Sequence, residues 1–347
     1  MPRFQTVSAS VASLHRRALM TGGLALGVSA CEQAMPLTAS TTPRLDMKAL
    51  DAGVAEIAAK VAPGVLGVAL MNQESGEHWT INPARRFPMQ SVFKAPLGAV
   101  VLSEVDAGRL SLDERVVLEA QDLSPPWSPI GRAWPARRDF TLGELLTATV
   151  ADSDNTAADV LMRRIGGPGV VTAWLESKRL TEIRIDRYER ELQTGIYGMA
   201  SFRPDWRTPE AFDAARASVP EAARREAMAA SLADPRDTAT PRGMLDFLSR
   251  LDHGELLSRA STRRLLEVMQ ASPPARDRLK AGFPDGVRFA HKTGSSGAHL
   301  GRTLAANDVG IFTLPDRRSY AAAVFLAGTP ATPQAQQAMF AALGRLL

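Results

Sequence analysis

The apolar positions of this chain change rhythm along its length. Between 45 and 61 they fall at Leu45, Leu50, Val54, Ile57 and Val61, the spacing of a helix with one buried stripe. An apolar, β-branched run follows at 65–71. Gln73-Glu74-Ser75-Gly76 then turns the chain, and 77–81 completes a predicted hairpin. Helical spacing returns at 91–107, 141–150, 156–165, 240–251 and 261–269. Beyond Pro273-Pro274 the pattern reads as strands at 287–293, 305–314 and 320–327, with a turn at Pro315-Asp316, and 333–347 closes as a helix. Strands near both ends with helices between them predict an α/β fold. Residues 44–97 and 273–347 form an antiparallel sheet flanked by N- and C-terminal helices, and 98–272 form an inserted all-helical lobe. The late strands are joined too tightly for parallel crossovers, so the sheet is expected to be antiparallel. A cleft is expected between the two lobes.

The composition, 45% hydrophobic and 22% charged over 347 residues, is that of an ordinary globular protein. The net charge of +4 hints at a polyanion partner, but Arg3, Arg16 and Arg17 lie in a stretch with no acid. Without them 38 basic residues face 37 acidic ones, which argues against nucleic acid. Arg16-Arg17 precede a short apolar run, rich in Gly and Ala, that ends at Val28-Ser29-Ala30-Cys31. The run is too short to span a bilayer, so 1–31 reads as a signal peptide, and the Thr/Pro/Ser-rich 32–43 reads as a tether. Small residues before the only Cys resemble a bacterial lipobox, which implies lipidation of Cys31 and a membrane anchor. A plain signal peptide with an incidental Cys fits as well. Either reading, by the general or the twin-arginine route, takes the protein out of the cytoplasm to the periplasm or beyond. A lone Cys excludes an intrachain disulfide, and none of the five His has zinc-ligand spacing to another ligand, so no metal or other cofactor is expected.

Candidate chemistry sits in three short strings: Ser91-Val92-Phe93-Lys94, Ser153-Asp154-Asn155 and Lys292-Thr293-Gly294. Each is common alone, and their order and separation make the signal. Only six of the 41 basic residues are Lys, and two of those six fall inside the strings. Arg stays protonated above roughly pH 12, whereas a buried Lys can exchange its proton, so Lys94 stands where the chain's default cation would fail. Together the strings supply a nucleophile, a proton relay and an anion clamp for acyl transfer.

The set resembles that of the class A serine β-lactamases and the wider penicillin-binding superfamily. The resemblance implies that Ser91 is acylated and Lys94 activates it, and that Ser153 relays a proton to the leaving nitrogen. It implies further that Asn155 binds the substrate's side-chain amide, that Lys292 and Thr293 hold its carboxylate, and that the backbone N–H groups of Ser91 and Ser295 form the oxyanion hole. Asp186-Arg187-Tyr188-Glu189-Arg190-Glu191-Leu192-Gln193 looks like the start of the family's Ω loop. Glu189 matches the carboxylate that activates the deacylating water, Glu191 is displaced by two, and Arg187 and Asp237 match the loop's ion pair. Trp127 resembles the aromatic at the cleft mouth. Arg278 resembles an arginine near the carboxylate clamp of some carbapenem-hydrolysing members, and with Trp127 and Ser295 leans toward a broad spectrum. The implied activity is β-lactam hydrolysis by a monomer. A penicillin-binding D-Ala-D-Ala carboxypeptidase and a non-hydrolytic β-lactam sensor are the alternatives.

Two departures stand out. Gln193 replaces the usual Asn beside the deacylating Glu and is one methylene longer. Between Gln193 and Asp237 lie 43 residues, far more than the usual loop holds. Thr208-Pro209, Val219-Pro220 and the Ala-rich 221–232 predict helices there. The extended Ω loop, about 186–240, is expected to lie over the mouth of the cleft, or to be passive surface decoration.

Overall fold

The Asp46 carboxylate accepts the Ala49 N–H and opens helix α1 (Met47–Lys60), whose Leu50, Val54 and Ile57 are buried. The chain then enters strands β1 (Val65–Asn72), β2 (His78–Ile81) and β3 (Phe87–Pro88), helix α2 (Lys94–Asp106) and strand β4 (Arg115–Val117). Next come α3 (Pro129–Ala133), β5 (Asp139–Thr141), α4 (Leu142–Val150), α5 (Asn155–Arg164), α6 (Pro168–Ser177) and α7 (Glu189–Ile196). After α8 (Pro209–Ser218), α9 (Glu221–Ala233), β6 (Thr238–Ala239), α10 (Pro241–Asp252) and α11 (Arg259–Gln270), the chain returns to strands. These are β7 (Arg288–Ser295), β8 (Ala298–His299), β9 (Arg302–Thr313) and β10 (Ser319–Thr329), followed by α12 (Pro333–Leu346). This computed structural model describes residues 44–273 and 278–347. The signal segment 1–31, the tether 32–43 and the lipidation candidate Cys31 lie outside the described residues.

The main sheet runs β2-β1-β10-β9-β7, with β8 paired to β9, and every pair is antiparallel. Its central strand is apolar on both faces because it separates two cores. Tyr320, Ala322, Val324 and Leu326 of β10 pack with Leu50 and Val54 of α1 and Phe340 and Leu343 of α12. Ala321, Ala323, Phe325 and Ala327 alternate to the opposite face, where α2, α4, α5, α10 and α11 supply the larger core.

The segment 98–272, expected to be all helical, also carries short strands. β4 pairs with β5, and β6 pairs with β3 in the register Phe87↔Ala239 and Pro88↔Thr238. Two- and three-residue strands are too short to show an alternating pattern, so nothing in the local sequence announced them. The β3–β6 pair has a positional effect. Together with the Met89 N–H on the Asp237 carbonyl (3.0 Å), it ties the end of the long loop to the segment entering Ser91.

Helices in the insertion begin as their sequence predicts, with Thr208 capping α8 through the Ala211 N–H. Their apolar faces form a third, separate core: Phe212 of α8 and Met228 of α9 meet Leu192, Ile196 and Tyr197 at α7, and Leu304 of β9.

Candidate active site

Ser91 does not open the long helix, as its spacing suggested; it lies in a 3₁₀ turn, Gln90–Phe93, that runs into α2. Pro96 within the first turn of α2 is tolerated because the N–H it lacks there has no helical partner. In a 3₁₀ turn, side chains three apart eclipse one another. Lys94 Nζ accordingly donates to Ser91 Oγ at 3.1 Å. Gln90, just before the nucleophile candidate, has φ +47°, a left-handed conformation held by its surroundings.

Asp154 caps α5 by accepting from the Ala157 N–H, and its second oxygen accepts from the Ile130 N–H at 2.7 Å, which pins the 126–130 loop. Burial raises the Asp154 pKa above the usual carboxylate range in spite of these bonds. Ser153, at φ +61°, turns its carbonyl to Lys94 Nζ (2.8 Å) while its hydroxyl accepts from Lys292 Nζ (3.1 Å). Asn155 Oδ1 accepts from Lys94 Nζ at 2.6 Å. The three strings, far apart in sequence, thus meet through two buried lysines.

The Ω-loop candidates join them. Glu189 begins α7, and its Oε1 lies 2.9 Å from Lys94 Nζ and 3.4 Å from Ser91 Oγ; the Lys94 and Glu189 side chains are both fully buried. Gln193, one turn further, donates to Glu189 Oε2 at 3.0 Å. Arg187 Nε and Asp237 Oδ2 pair at 2.5 Å, and burial raises the Asp237 pKa against the pull of that arginine. Glu191 lies on the surface, where its carboxylate accepts the Tyr188 N–H at the start of the helix.

A cavity of about 420 Å³ opens onto this cluster, lined by Ser91, Trp127, Ser153, Asn155, Gln193, Arg278, Thr293 and Ser295. Lys94, Glu189 and Lys292 lie buried behind its wall. Trp127 stands at the rim, 47% exposed, with its Nε1–H on the Asp152 carbonyl. Arg278 donates to the carbonyls of Gly294 and Asn307, so its guanidinium is fastened along the edge of β7 and β9. Among the described residues, no cluster of three His, Cys, Asp or Glu is placed to hold a metal ion.

The family model described as the beta-lactamase enzyme family matches residues 49–347. The chain belongs to this family. Beta-lactamase VEB-1 of Pseudomonas aeruginosa is 30% identical over 81% of this chain and 83% of its own length. A β-lactamase structure from Chitinophaga pinensis is 32% identical, with a TM-score of 0.71 over 86% of this chain and 97% of that one. An ancestral class A β-lactamase is 32% identical, with a TM-score of 0.69 over 86% and 98%. This protein is a class A β-lactamase, a serine hydrolase with an α/β fold.

Two residues of this β-lactamase that organise the site escaped the sequence reading. Asp159 is fully buried, and its carboxylate accepts from the Glu189 N–H (2.7 Å), the Arg190 N–H and Nε–H, and the Ser124 hydroxyl. Burial raises its pKa. The signal was an acid on the apolar side of α5, one turn after Asn155. Asn307, inside an apolar strand, donates to the carbonyls of Pro88 (2.8 Å) and Met89 (2.9 Å), tying the approach to Ser91 onto the sheet. The inserted segment is not a roof for the cavity: none of 198–236 lines it, and α8 and α9 pack behind α7. Their buried faces already have α7 and β9 to cover them, so nothing draws them across the opening.

Proposed function

We propose that this β-lactamase inactivates β-lactam antibiotics through an acyl-enzyme on Ser91. Ser91 Oγ attacks the lactam carbonyl, and Lys94, in contact with it, takes up its proton. The backbone N–H groups of Ser91 and Ser295 hold the oxyanion, a contribution that is usually among the largest in acyl transfer. Ser153, in contact with Lys292, delivers a proton to the departing nitrogen. Lys292 and Thr293, with Arg278 beside them, hold the substrate carboxylate, and Asn155 the side-chain amide. Glu189, steadied by Gln193, then takes a proton from water as that water attacks the ester. The product leaves with its ring opened, and Ser91 regains its proton.

The observation that carries this reading is Glu189 Oε1 within 3.4 Å of Ser91 Oγ, with Lys94 Nζ in reach of both. A sensor or a slowly turning carboxypeptidase has no need of a carboxylate so placed. Ser91→Ala is expected to abolish both acylation and turnover of a penicillin. Glu189→Gln keeps the side chain's shape and is expected to accumulate acyl-enzyme by mass spectrometry. Steady-state turnover by Glu189→Gln equal to wild type would remove Glu189 from the mechanism. Removing one partner of a buried pair typically costs about 3–5 kcal/mol, so each variant's folding is measured alongside.

We also infer export. Arg16-Arg17 followed by a short apolar run supports it, and Cys31 at the end of that run supports a lipid anchor. The reading further includes a catalytic monomer of two lobes, 44–97 with 273–347 and 98–272, with the cleft between them.

A further inference from the structure

We infer that Tyr197 clamps the end of α7 to the strand that carries the carboxylate and oxyanion groups, and that the inserted helices exist to hold this clamp shut. The inference rests on the acyl-enzyme reading of Ser91 and Glu189. Tyr197 is the residue that ends α7, the helix of Glu189 and Gln193. It is 5% exposed and lines the cavity, and its hydroxyl donates to the Ser296 carbonyl at 3.3 Å, one residue past Ser295. The link therefore runs from the water-activating side of the cavity to the acylating side, across the cavity wall.

The ring is gripped by the insertion. Phe212 of α8 meets it edge-on at 6.3 Å, and the Arg216 guanidinium lies over its face at 4.9 Å. His299 of β8 meets it edge-on at 5.2 Å from the sheet side. Aromatic and cation–π contacts of this kind are directional, so together they set the ring's orientation as well as its burial. Tyr197 stands four positions after Gln193, about one helical turn, so a shift of the ring displaces Gln193 and with it the Glu189 carboxylate. Ser91 and Lys94 touch Glu189 but lie on a different element, and the Ser153 carbonyl, Asn155 and Ser91 itself keep Lys94 in place when Glu189 shifts. Tyr197 is thus a positioning residue for deacylation and not for acylation.

Tyr197→Phe in the full chain tests this, because it removes the hydroxyl and keeps the ring. With benzylpenicillin as the probe, slowed deacylation lowers kcat and KM together and leaves kcat/KM unchanged. The expected change is about threefold or more in both, with acyl-enzyme building up in rapid-quench mass spectrometry. Phe212→Ala, which loosens the grip on the ring, is expected to show the same signature. A variant that merely misfolds in part loses kcat at constant KM. That result, or unchanged kcat and KM in Tyr197→Phe, overturns the proposal. Absence of penicillin turnover in the wild-type protein would instead overturn the acyl-enzyme reading, so the two failures are distinguishable.

Discussion

At the scale of single residues, the buried charges are the costly choice, and their partners explain why they persist. Lys94 is surrounded by four oxygens, from Ser91, Ser153, Asn155 and Glu189, so it gives up water without being left unpaired. Asp159 is a harder case, since burial outweighs its four donors and raises its pKa. That shift makes folding depend on pH. Below the ordinary carboxylate value of about 4, Asp159 is protonated in both folded and unfolded chains and contributes nothing to pH dependence. As pH rises past that value, the unfolded chain releases the proton more readily than the folded one, so folding loses stability until the raised pKa is passed. Asp159→Asn removes this titration. Urea midpoints of the two proteins between pH 3 and 7 should therefore diverge, with wild type losing ground to the variant as pH rises. Parallel curves would show that the four donors compensate for burial. Deacylation by the variant should slow, because the amide cannot accept from all four donors, the Glu189 N–H among them.

At the scale of elements, the site depends on how closely β7 approaches the 3₁₀ turn of Ser91. A Cβ on Gly294 would sit 2.3 Å from the Met89 carbonyl oxygen, so the third residue of its string is glycine for want of space. Gly294→Ala must push the strand off the turn. Forced overpacking of this kind costs about 1–3 kcal/mol. The expected result is a lower melting temperature and loss of acylation by penicillin, because the Ser295 and Ser91 N–H groups proposed to hold the oxyanion are moved apart. Acylation at the wild-type rate would show that the turn can yield. Asn307 holds the same junction from below, through the carbonyls of Pro88 and Met89. Asn307→Leu leaves two buried acceptors without that donor, at about 1–3 kcal/mol each, and a urea midpoint measures the loss.

At the scale of the whole molecule, three cores of unequal size are stacked. Two large ones share the sheet, and the small one belongs to the insertion and the end of α7. Contiguous units with few buried apolar contacts open below the global unfolding free energy. Amide hydrogen exchange should therefore be faster in α8 and α9 than in α2 or β10, with α7 between them. Equal protection in all of these would mean that the insertion folds as one unit with the rest.

Much of this was legible in the chain. The hairpin, the flanking helices, the late antiparallel strands and the insertion's two helices follow from apolar spacing and from helix starts such as Thr208-Pro209, which are local properties. The three strings were readable because acyl transfer restricts residue type at short spacing, and Glu189 because residues 186–193 resemble the start of the family's Ω loop. What stayed hidden was long-range: the β3–β6 pair, the buried Asp159, and Asn307 beneath the junction. The course of the insertion also depended on a partner surface, since its apolar faces are satisfied equally well by a cleft or by the back of α7 until Tyr197, Ile196 and Leu304 supply that surface. By itself the sequence determined the elements and the chemical groups, because both depend on neighbours within a few residues. Tertiary structure alone decided that Lys94, Glu189, Asn155 and Lys292 meet in one buried pocket. Such a meeting is set by which surfaces exclude water together, and no stretch of the chain carries that information alone.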